Sequence, residues 1–497
     1  MIYYAAVVAS AVLMWAAFPP LDLGWLAFVA PVPFLWAIRR VERVGDVILM
    51  GFLWGFVFYG GMLYWIFTLG AVAWFPLTLV LAAYATVYAV VVWMVRLWPA
   101  WRWWLIATGA WVAVEFLRAR FPFGGFPWGS IGYAAGGTPG AVGAVQWVGP
   151  SGWSVVAIAF AAGLALLIEN RKQWRFAVDT GVVIMLLVLA GGLFPPRADG
   201  EVLRVAIVQG GSPCPQTHCQ NENQRIFESH LELTQTIPAG SVDLVVWAEN
   251  STGPPYEPEG SDAVRNAIIE EADRIGAFFL VSGTRREGST QFRNVNVLLS
   301  PDGVKVGEYT KSHPVPFGEY VPLRSLLGFI PQLERVPRDM IRGGDPVVFP
   351  LDDGTLGSVI SFEGAFIRSI RSVVDAGAEV LVVATNESTY GVTAASDQLI
   401  GMTRVNAAAV GQDLVHAAIT GRSTFISADG AVGEKTDLLE ETVLYGRVQY
   451  RNAGSTFYSR FGDLLLYAAL LGMVVAVVWP GESRSIDAKP HSRTGGA

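Results

Sequence analysis

Long apolar runs fill the first two hundred residues and leave few folds open to this chain. A helix needs about 20 apolar residues to cross the hydrocarbon core of a bilayer. Runs of that character fall near residues 2–18, 25–38, 47–69, 75–95, 103–117, 151–168 and 178–193, and another covers 464–479. Only 15% of the chain is charged and 52% is hydrophobic, against about 25% charged in an average soluble protein. The 54 Gly and 18 Trp suit close helix contacts and interfacial anchoring. No basic segment precedes the first run, and no small-x-small site stands before Pro19 and Pro20. It is therefore expected to be a span and not a cleaved leader.

Charge then orients the spans. Arg39, Arg40 and Arg43 follow the second run, and Arg96 and Arg102 follow the fourth. Arg171, Lys172 and Arg175 follow the sixth, and Arg484, Lys489 and Arg493 follow the last. With alternating spans all four places share one side, so the positive-inside rule predicts cytoplasmic termini and a large domain outside. A net charge of −7 does not provide the basic face that nucleic acid requires. The expected organisation is a membrane domain of about seven helices (1–200), an α/β domain (201–460), a final transmembrane helix (461–480) and a polar cytoplasmic tail (481–497).

The outer loop after residue 115 carries Glu115, Arg118 and Arg120, then three Gly, two Pro and Trp128 before Ser130. Two readings stand: a re-entrant turn with Arg118 snorkelling to the interface, or a lipid-headgroup contact through its guanidinium.

From residue 204 the pattern changes. Strand-length apolar runs at 203–208, 244–247, 278–282, 296–299, 356–360, 380–384 and 423–426 mix with helical patterns at 221–237, 262–275 and 393–410. The order predicts a layered α/β domain. Sites in such sheets form at the carboxyl ends of strands. Glu249 stands after one strand, Ser361-Phe362-Glu363 after another, and Asn386 after a third. Lys311 opens a loop dense in Pro and Gly. A lone glutamate after a strand is more often a cap or a surface charge. The group together offers a nucleophile, a base and an oxyanion stabiliser.

Glu249, Lys311 and the Ser361-Phe362-Glu363 turn resemble the Glu-Lys-Cys triad motifs of the nitrilase superfamily. The run 311–322, with His313, Pro316, Phe317, Gly318, Glu319 and Tyr320, is similar to the apolipoprotein N-acyltransferases in particular. So are Glu115, Arg118 and Phe126-Pro127-Trp128 of the outer loop. The resemblance covers almost the whole chain. It implies a multi-span helical membrane domain with an αββα nitrilase-like domain on the outer face of a bacterial cytoplasmic membrane. The implied reaction moves an acyl chain from a phospholipid donor to the N-terminal amine of a diacylglyceryl-cysteine lipoprotein acceptor, with no cofactor and no metal.

In that likeness Glu249 is the general base, Lys311 stabilises the oxyanion and Glu319 supports Lys311. Phe362 and Glu363 follow the nucleophile, where the family commonly has Tyr and Glu, and Asn386 is a supporting residue. Arg118, Trp128, Gln209 and Phe317 are candidate lipid or substrate contacts. The departure is Ser361, which stands where the family has Cys. A thiol ionises near pH 8.5, whereas a hydroxyl needs a strong partner base. Cys214 and Cys219 lie in the loop after the first strand. They either pair there or stay free, and His218 between them makes a poor zinc site. Three functional readings follow: the acyltransferase, slowed by Ser361; an inactive membrane scaffold that binds lipid or lipoprotein; and a membrane-anchored amidase or esterase.

Overall fold

The computed structural model describes residues 1–138, 140–198 and 200–479. Arg484, Lys489 and Arg493 lie outside them. The apolar half forms helices α1 (Ile2–Ala16), α2 (Pro31–Arg40), α3 (Val44–Met62), α4 (Ala71–Met94), α5 (Ala100–Arg118), α6 (Val145–Glu169) and α7 (Trp174–Leu193). Among the described residues, four helical stretches are long and apolar enough to cross a membrane: Val44–Met62, Ala71–Met94, Val142–Glu169 and Arg171–Leu193. The run at 25–38 is not one helix. A 3-10 turn, Gly24–Phe28, precedes α2, whose 10 residues begin at Pro31 and rise only about 15 Å.

Small residues allow close helix contacts. A Cβ on Gly51 would lie 2.7 Å from Thr86 Cα, and one on Gly55 would lie 2.6 Å from Ala82 Cα. The glycines thus let α3 and α4 meet backbone to backbone. The bundle has two chemically distinct ends. At one, Arg39 pairs with Glu169 at 2.9 Å and covers the Trp103 ring. Arg102 at the start of α5 donates to the carbonyl of Ala476 at 2.7 Å. The other end carries the α/β domain.

That domain comprises β1 (Val202–Gln209), α8 (Glu222–Gln235), β2 (Leu244–Trp247), α9 (Asp262–Ile275), β3 (Phe278–Glu287), β4 (Gln291–Leu299), β5 (Lys305–Thr310) and α10 (Arg324–Leu327). It continues through β6 (Asp339–Met340), β7 (Val348–Pro350), β8 (Thr355–Ile360), α11 (Ile367–Asp375), β9 (Val380–Thr385), α12 (Ala395–Val410), β10 (Leu414–Ala418), β11 (Thr424–Ile426), β12 (Val432–Lys435) and β13 (Thr442–Gln449). Two short helices, α13 (Phe457–Phe461) and α14 (Leu464–Val478), return the chain to the bundle.

One sheet runs β13-β1-β2-β3-β4-β5 and the other β12-β11-β10-β9-β8-β7. The centres are parallel, β1-β2-β3 and β8-β9-β10, and the flanks antiparallel. Val205, Ile207, Val246 and Leu280 of one sheet meet Leu356, Ile360, Val382 and Val415 of the other in a fully buried layer. Helices α8 and α9 cover one outer face, and α11 and α12 the other. The result is an αββα sandwich. Its continuous apolar strands are those expected of parallel strands buried on both faces.

Helix α12 has a second role. Leu399, Met402 and Val405 pack into the membrane-domain core. Gln398 donates to the carbonyls of Pro19 (3.1 Å) and Met62 (3.0 Å) and accepts from Trp65 Nε1 (2.9 Å). The helix that closes the sandwich therefore also docks it on the bundle.

Candidate active site

Glu249, Lys311, Glu319 and Ser361 come together at the bundle-facing end of the sandwich. Glu249 follows β2 and is 3% exposed. Its Oε1 accepts from Asn294 Nδ2 at 2.7 Å and Lys311 Nζ at 3.1 Å, and its Oε2 accepts from the Asn386 backbone N–H at 2.6 Å. Lys311, 1% exposed, also donates to Glu319 Oε1 at 2.7 Å. Glu319 Oε2 is held by the Val315 N–H at 2.7 Å. The loop therefore folds back so that one ammonium sits between two carboxylates.

Burial pulls the Lys311 ammonium down, but Glu249 and Glu319 overcome it and hold the group above its ordinary range. Burial raises the Glu249 carboxyl. Lys311 and the Ser361 hydroxyl pull it back, and Glu319 pushes it up. A permanent cation thus stands beside a carboxylate moved toward neutrality, the direction a general base requires.

Ser361 follows β8 with φ +54°, a left-handed conformation rare outside glycine and characteristic of functional turns. It opens a 3-10 turn, Ser361–Ala365, and its Oγ accepts from Thr385 Oγ1 at 3.4 Å. Glu363 holds the turn. Its Oε1 accepts from the N–H groups of Ser312 (2.8 Å) and His313 (2.9 Å), and its Oε2 from the Ile360 N–H (2.8 Å). The Tyr309 hydroxyl adds a bond at 2.9 Å. One fully buried carboxylate thus ties the Ser361 turn to the Lys311 loop. His313 is no rival base: burial, then Arg368, pull its imidazole down to about 3.

Phe362 carries the site to the bundle. Its ring stacks on Trp128 at 5.5 Å and 12°, and Trp128 stacks on Phe126 at 5.1 Å. Phe317, 44% exposed, meets Phe123 edge-on at 5.9 Å.

Two of the candidate lipid or substrate contacts are enclosed by protein groups. Arg118 is 1% exposed. Its guanidinium donates to the carbonyls of Phe126 (2.8 Å) and Trp128 and to Ser130 Oγ (2.8 Å), so it braces the 121–130 loop from within. Gln209 is fully buried. It accepts from Ser423 Oγ (2.6 Å) and Thr436 Oγ1 (2.9 Å) and donates to the carbonyls of Asp437 (3.1 Å) and Glu440 (3.0 Å), which uses its whole bonding capacity.

Cys214 and Cys219 are joined in a disulfide that closes their loop. Two residues were missed. Asn294 orients Glu249; a buried strand reading Asn294-Val295-Asn296 was the available signal, since buried amides need partners. The other is Glu387, 5% exposed with neither carboxylate oxygen partnered. Burial, with the Asp397 and Glu249 charges nearby, pushes it up to about 7.

Glu387 has a pH consequence. Its folded pKa lies above the ordinary 4.5, so its stabilising contribution is complete below pH 4.5 and is lost as pH rises through 7. Glu387→Gln removes that loss. Relative to the parent, the variant gains on the order of 3 kcal/mol between pH 4.5 and pH 8. Unfolding midpoints at both pH values, followed by tryptophan fluorescence in detergent, check this; an unchanged difference refutes it.

A buried Glu-Lys pair beside the Ser361 turn in an αββα sandwich defines the class, a carbon–nitrogen hydrolase domain, here mounted on membrane helices. The carbon-nitrogen hydrolase family model matches residues 204–458, and that of the apolipoprotein N-acyltransferase N-terminal domain matches residues 10–164. An apolipoprotein N-acyltransferase of Geobacter metallireducens is 31% identical, covering 97% of this chain and 96% of that one. One of Nitrosomonas europaea is 27% identical over 92% of each. An amidase from Nesterenkonia sp. superposes with a TM-score of 0.40 at 15% identity, over 54% of this chain and 97% of that one. The chain belongs to the apolipoprotein N-acyltransferase family, and it is a membrane protein.

Proposed function

We propose that this protein N-acylates lipoproteins, taking the acyl chain from a phospholipid through an acyl-Ser361 intermediate. The observation that carries the reading is Lys311 held between Glu249 and Glu319 beside Ser361, at the junction with the bundle. Ser361 Oγ attacks the carbonyl carbon of a phospholipid ester while Glu249 takes its proton. The tetrahedral oxyanion faces the Lys311 ammonium. Collapse breaks the ester C–O bond, and the proton on Glu249 goes to the departing lysophospholipid oxygen. The acceptor's α-amine then attacks acyl-Ser361, forming the amide; Glu249 passes the amine proton to the leaving Ser361 oxygen.

Purified protein incubated with phospholipid and a diacylglyceryl-cysteine peptide tests this. One acyl group gained on the peptide amine, with lysophospholipid released in equal amount, is expected. An unmodified peptide beside hydrolysis of small amides would overturn it.

The α/β domain lies on the outer face in this reading, with both termini cytoplasmic. Support comes from Arg39 and Arg102, which gather at the bundle end opposite the domain, as the positive-inside rule requires. Ser289→Cys in the β3–β4 turn should react with an impermeant maleimide in intact cells. Protection until the cells are lysed would reverse the topology.

A further inference from the structure

A groove of about 290 Å³ runs between the last turn of α5, helix α11 and the first turn of α14. Those turns are the domain-side ends of two packed helices, so the groove stands at the height of the membrane–water boundary. It does not open onto Glu249, Lys311 or Ser361; Phe366 forms its wall, edge-on to Phe362 at 4.9 Å.

Its charge is unbalanced. Arg368 donates to the carbonyls of Ala119 and Gly124 and lies over the Phe366 ring at 4.1 Å. Arg120 lies over the Phe116 ring at 3.5 Å and donates to the Phe116 carbonyl at 3.3 Å. Among the described residues neither has a carboxylate partner. The acids that line the groove are otherwise engaged. Asp375 stands 3.7 Å from Arg371, and Asp463 accepts from the Tyr458 hydroxyl at 3.2 Å. Glu115 Oε1 faces inward, accepting from Trp111 Nε1 at 2.9 Å and the Ile131 N–H at 2.8 Å. Burial, then Arg120, pull Arg368 down to about 10, as two guanidinium groups without a counter-charge would. Beside them the surface of α14 is apolar and open: Tyr467, which lines the groove, is 56% exposed, and Leu471, one turn further along the helix, is 64% exposed.

Two uncompensated cations above an exposed apolar wall, at interface height, match a phosphate carried on an acyl chain and no soluble anion. We infer that this groove binds an anionic phospholipid, its phosphate on Arg120 and Arg368 and an acyl chain along Tyr467 and Leu471 of α14, apart from the catalytic cavity. The site requires membrane insertion only and does not depend on the acyl-transfer reading.

The test uses the full chain carrying Ser361→Ala, so that no acyl chemistry consumes lipid. The protein is reconstituted in phosphatidylcholine vesicles with a minor fraction of phosphatidylglycerol and extracted in detergent, and retained lipid is counted by native mass spectrometry. One retained phosphatidylglycerol is expected. Its occupancy should fall about tenfold for each of Arg120→Gln and Arg368→Gln. Arg324→Gln, a half-buried arginine paired with Asp339 away from the groove, should retain it. Equal retention in all variants would overturn the site. So would thermal stabilisation by inorganic phosphate that Arg120→Gln abolishes while lipid retention stays unchanged, which would mark a free-anion site. If Arg368→Gln elutes as misfolded protein, the exposed Arg120→Gln carries the test alone.

Discussion

Replacing Ser361 by cysteine is expected to raise acyl transfer by about a hundredfold, a barrier lower by roughly 2.7 kcal/mol. The turn, the base and the cation are in place, and what the site lacks is an easily ionised nucleophile. A cysteine at this position would stand beside the Lys311 ammonium, which draws a thiol to thiolate, whereas a serine hydroxyl must surrender its proton to Glu249 during attack. Ser361→Ala removes the acylated atom and should abolish transfer. Incubation of the parent with phospholipid should leave a hydroxylamine-sensitive acyl adduct on the Ser361 peptide. An inactive Ser361→Cys together with no adduct would end the weak-nucleophile account, and Glu249 and Lys311 would become a buried ion pair that shapes a binding cavity.

Lys311→Met should lower transfer by about a hundredfold to a thousandfold, the usual cost of an oxyanion donor, and should also destabilise the fold. It leaves Glu249 buried opposite no cation, and breaking a buried pair costs about 3–5 kcal/mol. The double variant Glu249→Gln, Lys311→Met separates the two effects. It removes the uncompensated charge and should recover much of the stability while remaining inactive. Thermal midpoints and transfer rates of the three proteins check this. Recovery of activity in the double variant would show that the pair acts only through the fold. A single variant that keeps its midpoint would show that Lys311 is less buried in charge terms than its contacts with Glu249 and Glu319 imply.

Much of the architecture was legible because it rests on periodicity and turn chemistry. Apolar runs announced the helical half, and Leu244–Trp247 and Asp262–Ile275 came out with the bounds read from sequence. Interruptions of those runs were less visible. Pro31 suits both a helix start and a kink, and only packing makes the first of these true. Strand β10 escaped notice since Leu414–Ala418 carries no alternation; strands buried on both faces have none. Arginine positions were read as surface features because sequence cannot say which loops fold inward. Arg118 turned into its own loop, and Arg120 and Arg368, 248 positions apart in the chain, came to share a groove.

The sequence by itself determined the division into an apolar bundle and a layered α/β domain, and it marked candidates for chemistry: Glu249 and Ser361 stand at strand ends and Lys311 opens a Pro- and Gly-rich loop, signals written in adjacent residues. Only the tertiary structure decided how those residues are arranged. Lys311 is a cation with two carboxylates, Asn294 and Asn386 orient Glu249, Glu363 ties one loop to another, and Phe362 leans on Trp128 of the bundle. The reason is range. Helix and strand preferences are set by neighbours within a few positions, whereas protonation and orientation depend on charges and hydrogen bonds brought within about 4 Å by packing, from segments that lie tens to hundreds of residues apart.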